Sequence, residues 1–212
     1  NHSMGIDYTW KSLDSKGWTK TIKDKDFHYS RVELQGLFFK AFHNVIPEIA
    51  NEKLKVIVRP HPSESLIPWD ELSRANPGKV IVAREGNIIP WLQAAEIILH
   101  NGCTTAVEAF VLGKPVISYR PKKITELETE LPNEISMQAA NHEELMYLID
   151  NAFSINLKTR DSKLKYASEF IETTDHTACE KIVNTLPEVK NHSNVNFSST
   201  RFRFCLLYTS PS

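Results

Sequence analysis

Short apolar runs alternate with stretches of helical periodicity along most of this chain. The runs Lys55–Val58, Lys79–Val82, Ile97–Leu99, Val116–Tyr119 and Ile135–Met137 are each bounded by turn or polar residues and separated by helical patterns. That alternation predicts parallel strands joined by helices rather than hairpins, and so a doubly wound parallel α/β sheet. Val32, Leu37, Phe38, Ala41, Phe42, Val45 and Ile49 form a helical stripe over 29–51, with Pro47 expected to kink it. Further helices are expected over Trp69–Ala75, around Ile89–Leu92 with Pro90 in the first turn, from an Asn141 cap to Ile149, over Leu164–Phe170 and over Thr177–Leu186. Residues 29–188 form the expected domain. Residues 1–28 are polar without a period and read as a loop or interdomain remnant, and 189–212 lose the pattern and read as an unstructured tail. The last residues, Cys205 to Ser212, are similar to translated sequencing-adapter readthrough, so the end of the tail is expected to be non-native.

The chain is organised around Ile97–Arg120, where a strand runs through Asn101-Gly102 into a helix that Gly113 and Pro115 stop before the next strand. On that helix Ala106, Val107, Phe110 and Val111 share one face, while Thr104 and Glu108 lie a turn apart on the other. The amides of Gly102 through Thr105 are expected to be open, with Gly102 letting a ligand approach the backbone. A phosphate at these amides and a ribose beside Glu108 would use both features. The same residues also fit a capping box, Thr105-x-x-Glu108, in which each side chain satisfies a backbone amide.

Three other strand exits carry candidate chemistry. Arg59-Pro60-His61-Pro62 follows the first strand, and its prolines hold the exit extended, presenting His61 at a fixed place. At the carboxyl edge of a parallel sheet an imidazole there could hydrogen-bond a departing phosphate; the plainer alternative is a strand end. Arg84-Glu85-Gly86-Asn87 leaves the second strand, and Asn87 or Ile88 could meet a base, against the simpler assignment of a connecting loop. Arg120-Pro121-Lys122-Lys123 could reach a second phosphate or a sugar carboxylate, with a solvated charged turn as the alternative.

The 212 residues suffice for a real core, and 41% hydrophobic with 24% charged residues is ordinary for a globular chain. A net charge of -1 gives no electrostatic case for nucleic acid. Cys103, Cys179 and Cys205 are unclustered, which suggests neither a disulfide framework nor a zinc site and fits a reducing compartment. There is no apolar run of membrane-spanning length, no signal peptide pattern and no carboxylate cluster of metal-ligand type.

Between about Lys55 and Asp150 the chain resembles the C-terminal, donor-binding half of GT-B glycosyltransferases, specifically bacterial surface-carbohydrate and capsule biosynthesis proteins. Arg59-Pro60-His61-Pro62 is similar to the His-Pro motif of bacterial sialyl- and Kdo-type transferases and of glycerophosphotransferases. Asn101 to Ala109, followed by Gly113-Lys114-Pro115-Val116, resembles the donor-nucleotide helix. The resemblance implies a Rossmann-like half of a GT-B fold. It implies that Gly102, Thr104 and Thr105 hold donor phosphate, that Glu108 takes ribose hydroxyls, and that His61 contacts phosphate or assists its departure. Arg59, Asn101, Asn87 and Arg120 complete the expected substrate-binding set, with His61 as the catalytic residue and no metal. The expected partner is a CMP-, UDP- or CDP-linked sugar, bound as substrate with no separate cofactor, in the cytoplasm. The acceptor domain and first donor-domain strand of that family are missing from the sequence; peripheral contact with the inner membrane would run through the missing half, and no general base can be named. The non-hydrolysing UDP-sugar 2-epimerases share the fold and a similar Gly-x-x-x-Glu helix. A CDP-glycerol glycerophosphotransferase-like enzyme and an inactive nucleotide-binding module are further alternatives.

Overall fold

The computed structural model describes residues 14, 15, 17, 25–62 and 64–171, together with the backbone of 204–209. In chain order the elements are α1 (Lys25–Ile49), β1 (Lys55–Pro60), α2 (Ile67–Ala75), β2 (Val80–Val82), α3 (Ile88–Ala94), β3 (Ile97–His100), α4 (Thr105–Val111), β4 (Val116–Tyr119), α5 (Glu130–Glu134), β5 (Met137–Ala139), α6 (His142–Ala167) and β6 (Phe204–Thr209). The strands form one sheet in the order β2-β1-β6-β3-β4-β5, and every pairing is parallel.

Alternation along each strand decides the layering. Val56 and Val58 of β1, Ile97 and Leu99 of β3, and Ile117 and Tyr119 of β4 enter one apolar cluster with Phe42 and Ile46 of α1, Trp69 of α2 and Leu145 of α6. Ile57, Ile98 and Val116, each next in sequence to one of these, point into a second cluster with Leu92 of α3 and Ala106 and Phe110 of α4. Successive strand side chains face opposite ways, so strands with consecutive apolar residues must be covered on both sides. Phe42 and Phe110 are essentially fully buried, which contributes about 1.5–3 kcal/mol each. Edge-on contacts of Phe39 with Trp69 (ring centroids 4.9 Å apart) and of Phe42 with Tyr119 (5.5 Å) fix α1 over this face. The architecture is thus α/β with a doubly wound parallel sheet, consistent with a Rossmann-like fold.

Several boundaries differ from the sequence expectation. α1 starts at Lys25, inside the expected loop 1–28, and continues through Pro47. The last expected strand is displaced: Ile135 closes α5, its amide bonding the Leu131 carbonyl at 3.2 Å, and β5 begins at Met137. α6 runs unbroken through the gap left between Ile149 and Leu164; its Asn141 cap accepts from the Glu144 amide, as expected. The tail expectation is corrected at 204–209. This segment pairs with β1 over Lys55–Pro60 and with β3 over Ile97–His100, in the middle of the sheet. Cys205-Leu206-Leu207-Tyr208 is a continuous apolar run, the pattern of a strand flanked on both sides, and not the alternation of a half-exposed one. The expected helix Thr177–Leu186 lies outside the described residues.

Chain direction gives the sheet a switch point. From β1 the chain moves outward to β2, and from β3 it moves the opposite way through β4 to β5. β6 lies between them, at the position the first strand holds in the familiar 3-2-1-4-5-6 order. Ligands of open α/β sheets bind beyond the carboxyl ends of the strands at such a reversal.

Candidate functional site

His61 and the Asn101–Gly102 turn leave β1 and β3, the two strands flanking β6. Arg59 and His100 both pair with Tyr208, so they stand at the same height on the sheet. His61 is two residues beyond Arg59 and Gly102 two beyond His100. Strands are spaced about 4.8 Å apart, which separates these exits laterally by roughly 10 Å.

The turn after β3 is built on His100, which is completely buried. Its Nδ1 accepts from the amides of Gly102 (2.9 Å) and Cys103 (3.2 Å). The ring proton must then sit on Nε2, which donates to Ser136 Oγ at 2.8 Å, and that hydroxyl donates to the Pro132 carbonyl at 2.6 Å. Burial, with a smaller contribution from the Arg120 charge, lowers the His100 pKa to about 3, so the imidazole stays neutral. His100 therefore holds the turn as an acceptor. The sequence presents it only as the polar end of an apolar run, and a polar group completing a buried strand was the available signal.

This arrangement corrects the open-amide expectation. The Gly102 and Cys103 amides turn inward onto His100, and the Thr105 amide donates to Cys103 Sγ at 3.4 Å. Thr105 itself is buried, its hydroxyl accepting from Cys103 Sγ at 3.2 Å, and so does not face a ligand. Gly102 adopts φ 110°, where a Cβ would be strained and would stand 3.5 Å from Thr129 Oγ1.

Thr104 and Glu108 are both exposed, one turn apart, as the helical pattern predicts. The capping box does not form: the cap position is Thr104, with no side-chain cap bond, and the Glu108 carboxylate has no hydrogen-bond partner among the described residues. Partial burial raises the Glu108 pKa, and burial pushes the Cys103 thiol up.

His61 is half-buried, and its pKa is lowered by burial first and by the nearby Arg84 charge second, which favours the neutral imidazole. Arg84 Nη2 donates to the carbonyls of His61 (2.7 Å), Pro62 (3.2 Å) and Glu64 (2.6 Å). Trp69 Nε1 donates to the Glu64 carboxylate at 3.2 Å, tying the end of this loop to α2.

Three expected substrate residues are instead committed to the fold. Arg59 is 6% exposed and donates to the carbonyls of Glu85 (3.1 Å) and Gly86 (3.2 Å) while stacking on Trp91 at 5.1 Å. Arg120 is 4% exposed, paired with Glu128 and donating to Gln138 Oε1 at 2.9 Å, so it does not point to solvent at the strand exit. Glu128 also accepts from Asn133 Nδ2 at 3.0 Å, and Asn133 Oδ1 accepts from Ser118 Oγ at 3.0 Å. Asn87 caps α3, its side chain accepting from the Ile89 amide at 2.8 Å. Arg59 and Arg120 are satisfied by groups on other segments, which spacing alone does not reveal, whereas Asn87 is taken up by a local helix cap two residues away.

Beside the Gly102 turn is a small cleft with about 40 Å³ of free interior, walled by Leu34, Phe38 and Leu127. Arg31, Gln35, Asn101 and Thr129 supply its polar lining. Among the described residues, no helix is long and apolar enough to cross a membrane, and no group of three or more His, Cys, Asp or Glu is placed to hold a metal ion. Models of known protein families, curated proteins and solved structures gave no match to this chain.

Proposed function

We propose that this chain binds the nucleotide of an activated sugar at the switch point of its sheet and acts as the donor-binding part of a sugar-transferring enzyme. The observation that carries this reading is the placement of His61 and the Asn101–Gly102 turn at one height on either side of β6. A roughly 10 Å separation is bridged by an extended ligand such as a nucleotide sugar, and the crevice between such exits is where α/β sheets hold ligands.

In this reading Glu108, exposed and without a hydrogen-bond partner among the described residues, takes the ribose hydroxyls, and the exposed Thr104 hydroxyl donates to a donor phosphate. Because the Gly102 and Cys103 amides are occupied, phosphate contact rests on side chains more than on the helix end. His61, kept neutral by burial and by Arg84, retains one N–H. When the bond between sugar and phosphate breaks, negative charge grows on the departing phosphate oxygen, and that N–H can donate to it. A preorganised donor of this kind is worth about 3 kcal/mol at the transition state. The acceptor and the base that activates it are supplied by a partner domain, and the products serve bacterial surface-carbohydrate synthesis in the cytoplasm.

Titrating CMP, UDP and CDP into the full chain, followed by amide and imidazole NMR shifts, tests the reading. At least one nucleotide should bind saturably and move the signals of Thr104 and His61 together. Absence of binding by all three, or binding that leaves both signals still, would overturn it.

A further inference from the structure

The Gly102 cleft carries more than its expected share of unsatisfied polar chemistry. Asn101 Oδ1 is buried and has no hydrogen-bond partner among the described residues. The side chains of Arg31, Gln35 and Thr129 make no hydrogen bond among the described residues, and Thr129 stands at the α5 cap position without a cap bond. These groups come from three separate parts of the chain: the first half of α1, the turn after β3 and the segment before α5. They converge on one opening. Of these groups only Asn101 Oδ1 is a buried atom; Arg31, Gln35 and Thr129 are half-buried, so their donors are open to a group entering the cleft.

We infer that this cleft is a subsite for a small oxyanion. Arg31 offers only donors and a fixed positive charge, which calls for an anionic oxygen. Gln35 and Thr129 can donate to the same anionic oxygens. The apolar walls Leu34, Phe38 and Leu127 thin the water around Arg31 and strengthen its pull on an anion. An interior of about 40 Å³ accepts about three water-sized groups. That suits a carboxylate or a phosphate group. Gly102 forms part of the wall because a side chain there would close the cleft toward Thr129.

This inference deepens the nucleotide-sugar reading and rests on it for the occupant's place in the donor: the group seated here is an acidic substituent of the sugar or a donor phosphate. The test is an amide-shift titration of the full chain with D-glucuronate, inorganic phosphate and, as a neutral control, glucose. Either anion should move the Gly102 and Thr129 amides saturably while glucose leaves them still. Glucuronate alone identifies a sugar carboxylate, phosphate alone a phosphate group, and both the shared oxyanion chemistry. Arg31→Gln should weaken the response about tenfold or more, and Arg31→Lys should retain most of it. No shift with either anion, equal shifts with glucose, or undiminished affinity in Arg31→Gln would overturn the subsite. Adding CMP, UDP and CDP to the same samples separates the two proposals. Anion binding without nucleotide binding sustains the cleft and removes the nucleotide reading, whereas nucleotide binding with a silent cleft does the reverse.

Discussion

Arg59 and Arg84 each hold the loop that carries the other. Arg59, at the end of β1, grips the carbonyls of Glu85 and Gly86, and Arg84, at the start of that loop, grips the carbonyls of His61, Pro62 and Glu64. Two adjacent strand exits are thereby locked together without either guanidinium meeting a carboxylate among these bonds. The device suits a fixed His61 better than a mobile one, since the carbonyl of His61 itself is one of the bonded groups.

Arg84→Ala should release this loop. Hydrogen bonds to a charged group are worth about 1.5–3 kcal/mol, so a loss of about 2 kcal/mol and a melting temperature lower by about 4–8 °C are expected. The His61 pKa should rise toward its ordinary value as the neighbouring charge disappears, although its burial remains. Thermal melts together with an NMR titration of the His61 ring measure both effects. An unchanged melting temperature and an unchanged titration would show that the clamp holds nothing.

His100 makes stability depend on acid. Its ordinary pKa of 6.5 falls to about 3 in the folded chain, so folding favours the neutral ring. The resulting stabilisation is fully present above 6.5 and is lost as pH falls from there toward 3. His100→Asn keeps an acceptor for the turn but does not titrate in this window. Urea-unfolding midpoints across the same pH range should therefore fall more steeply for the native chain than for the variant, which starts less stable. Parallel profiles would contradict a buried neutral His100.

The β-strand at the chain's end leads to a third expectation. β6 supplies every hydrogen bond linking the β2-β1 pair to the β3-β4-β5 group within the sheet. Removing residues 204–212 leaves the inner edges of β1 and β3 unpaired, so cooperative unfolding should be lost or its midpoint should drop sharply. Circular-dichroism melts of the native and shortened chains give the answer, and an unchanged transition would exclude β6 from the stable sheet.

The sheet was legible because its strands are short apolar runs buried on both faces, a pattern that survives without knowledge of partners. β5 shifted because Ile135 and Ser136 are recruited elsewhere, Ile135 to close α5 and Ser136 to accept the hydrogen bond from His100 Nε2. β6 carries the same apolar-run signature as the other strands, but the likeness of Cys205 to Ser212 to translated readthrough hides it. At the candidate site, the exposed line of Thr104 and Glu108 followed directly from helical geometry. The fates of Arg59 and Arg120 did not. A charged residue at a strand exit looks the same in sequence whether it awaits a ligand or is held by a loop 26 residues away, as Arg59 is by Glu85.

Glu108 gives the most direct test of nucleotide binding. Its carboxylate has no partner among the described residues and caps nothing, so Glu108→Ala should leave the melting temperature nearly unchanged. As a ribose ligand it would contribute charge-assisted hydrogen bonds worth about 1.5–3 kcal/mol, and the variant should weaken nucleotide affinity about 10- to 150-fold. The measurement is calorimetric titration of CMP, UDP and CDP into the native chain and the variant. At least one nucleotide binding the native chain, with that loss in Glu108→Ala, is the predicted result; no binding to the native chain, or an equal Kd for both proteins, would contradict it.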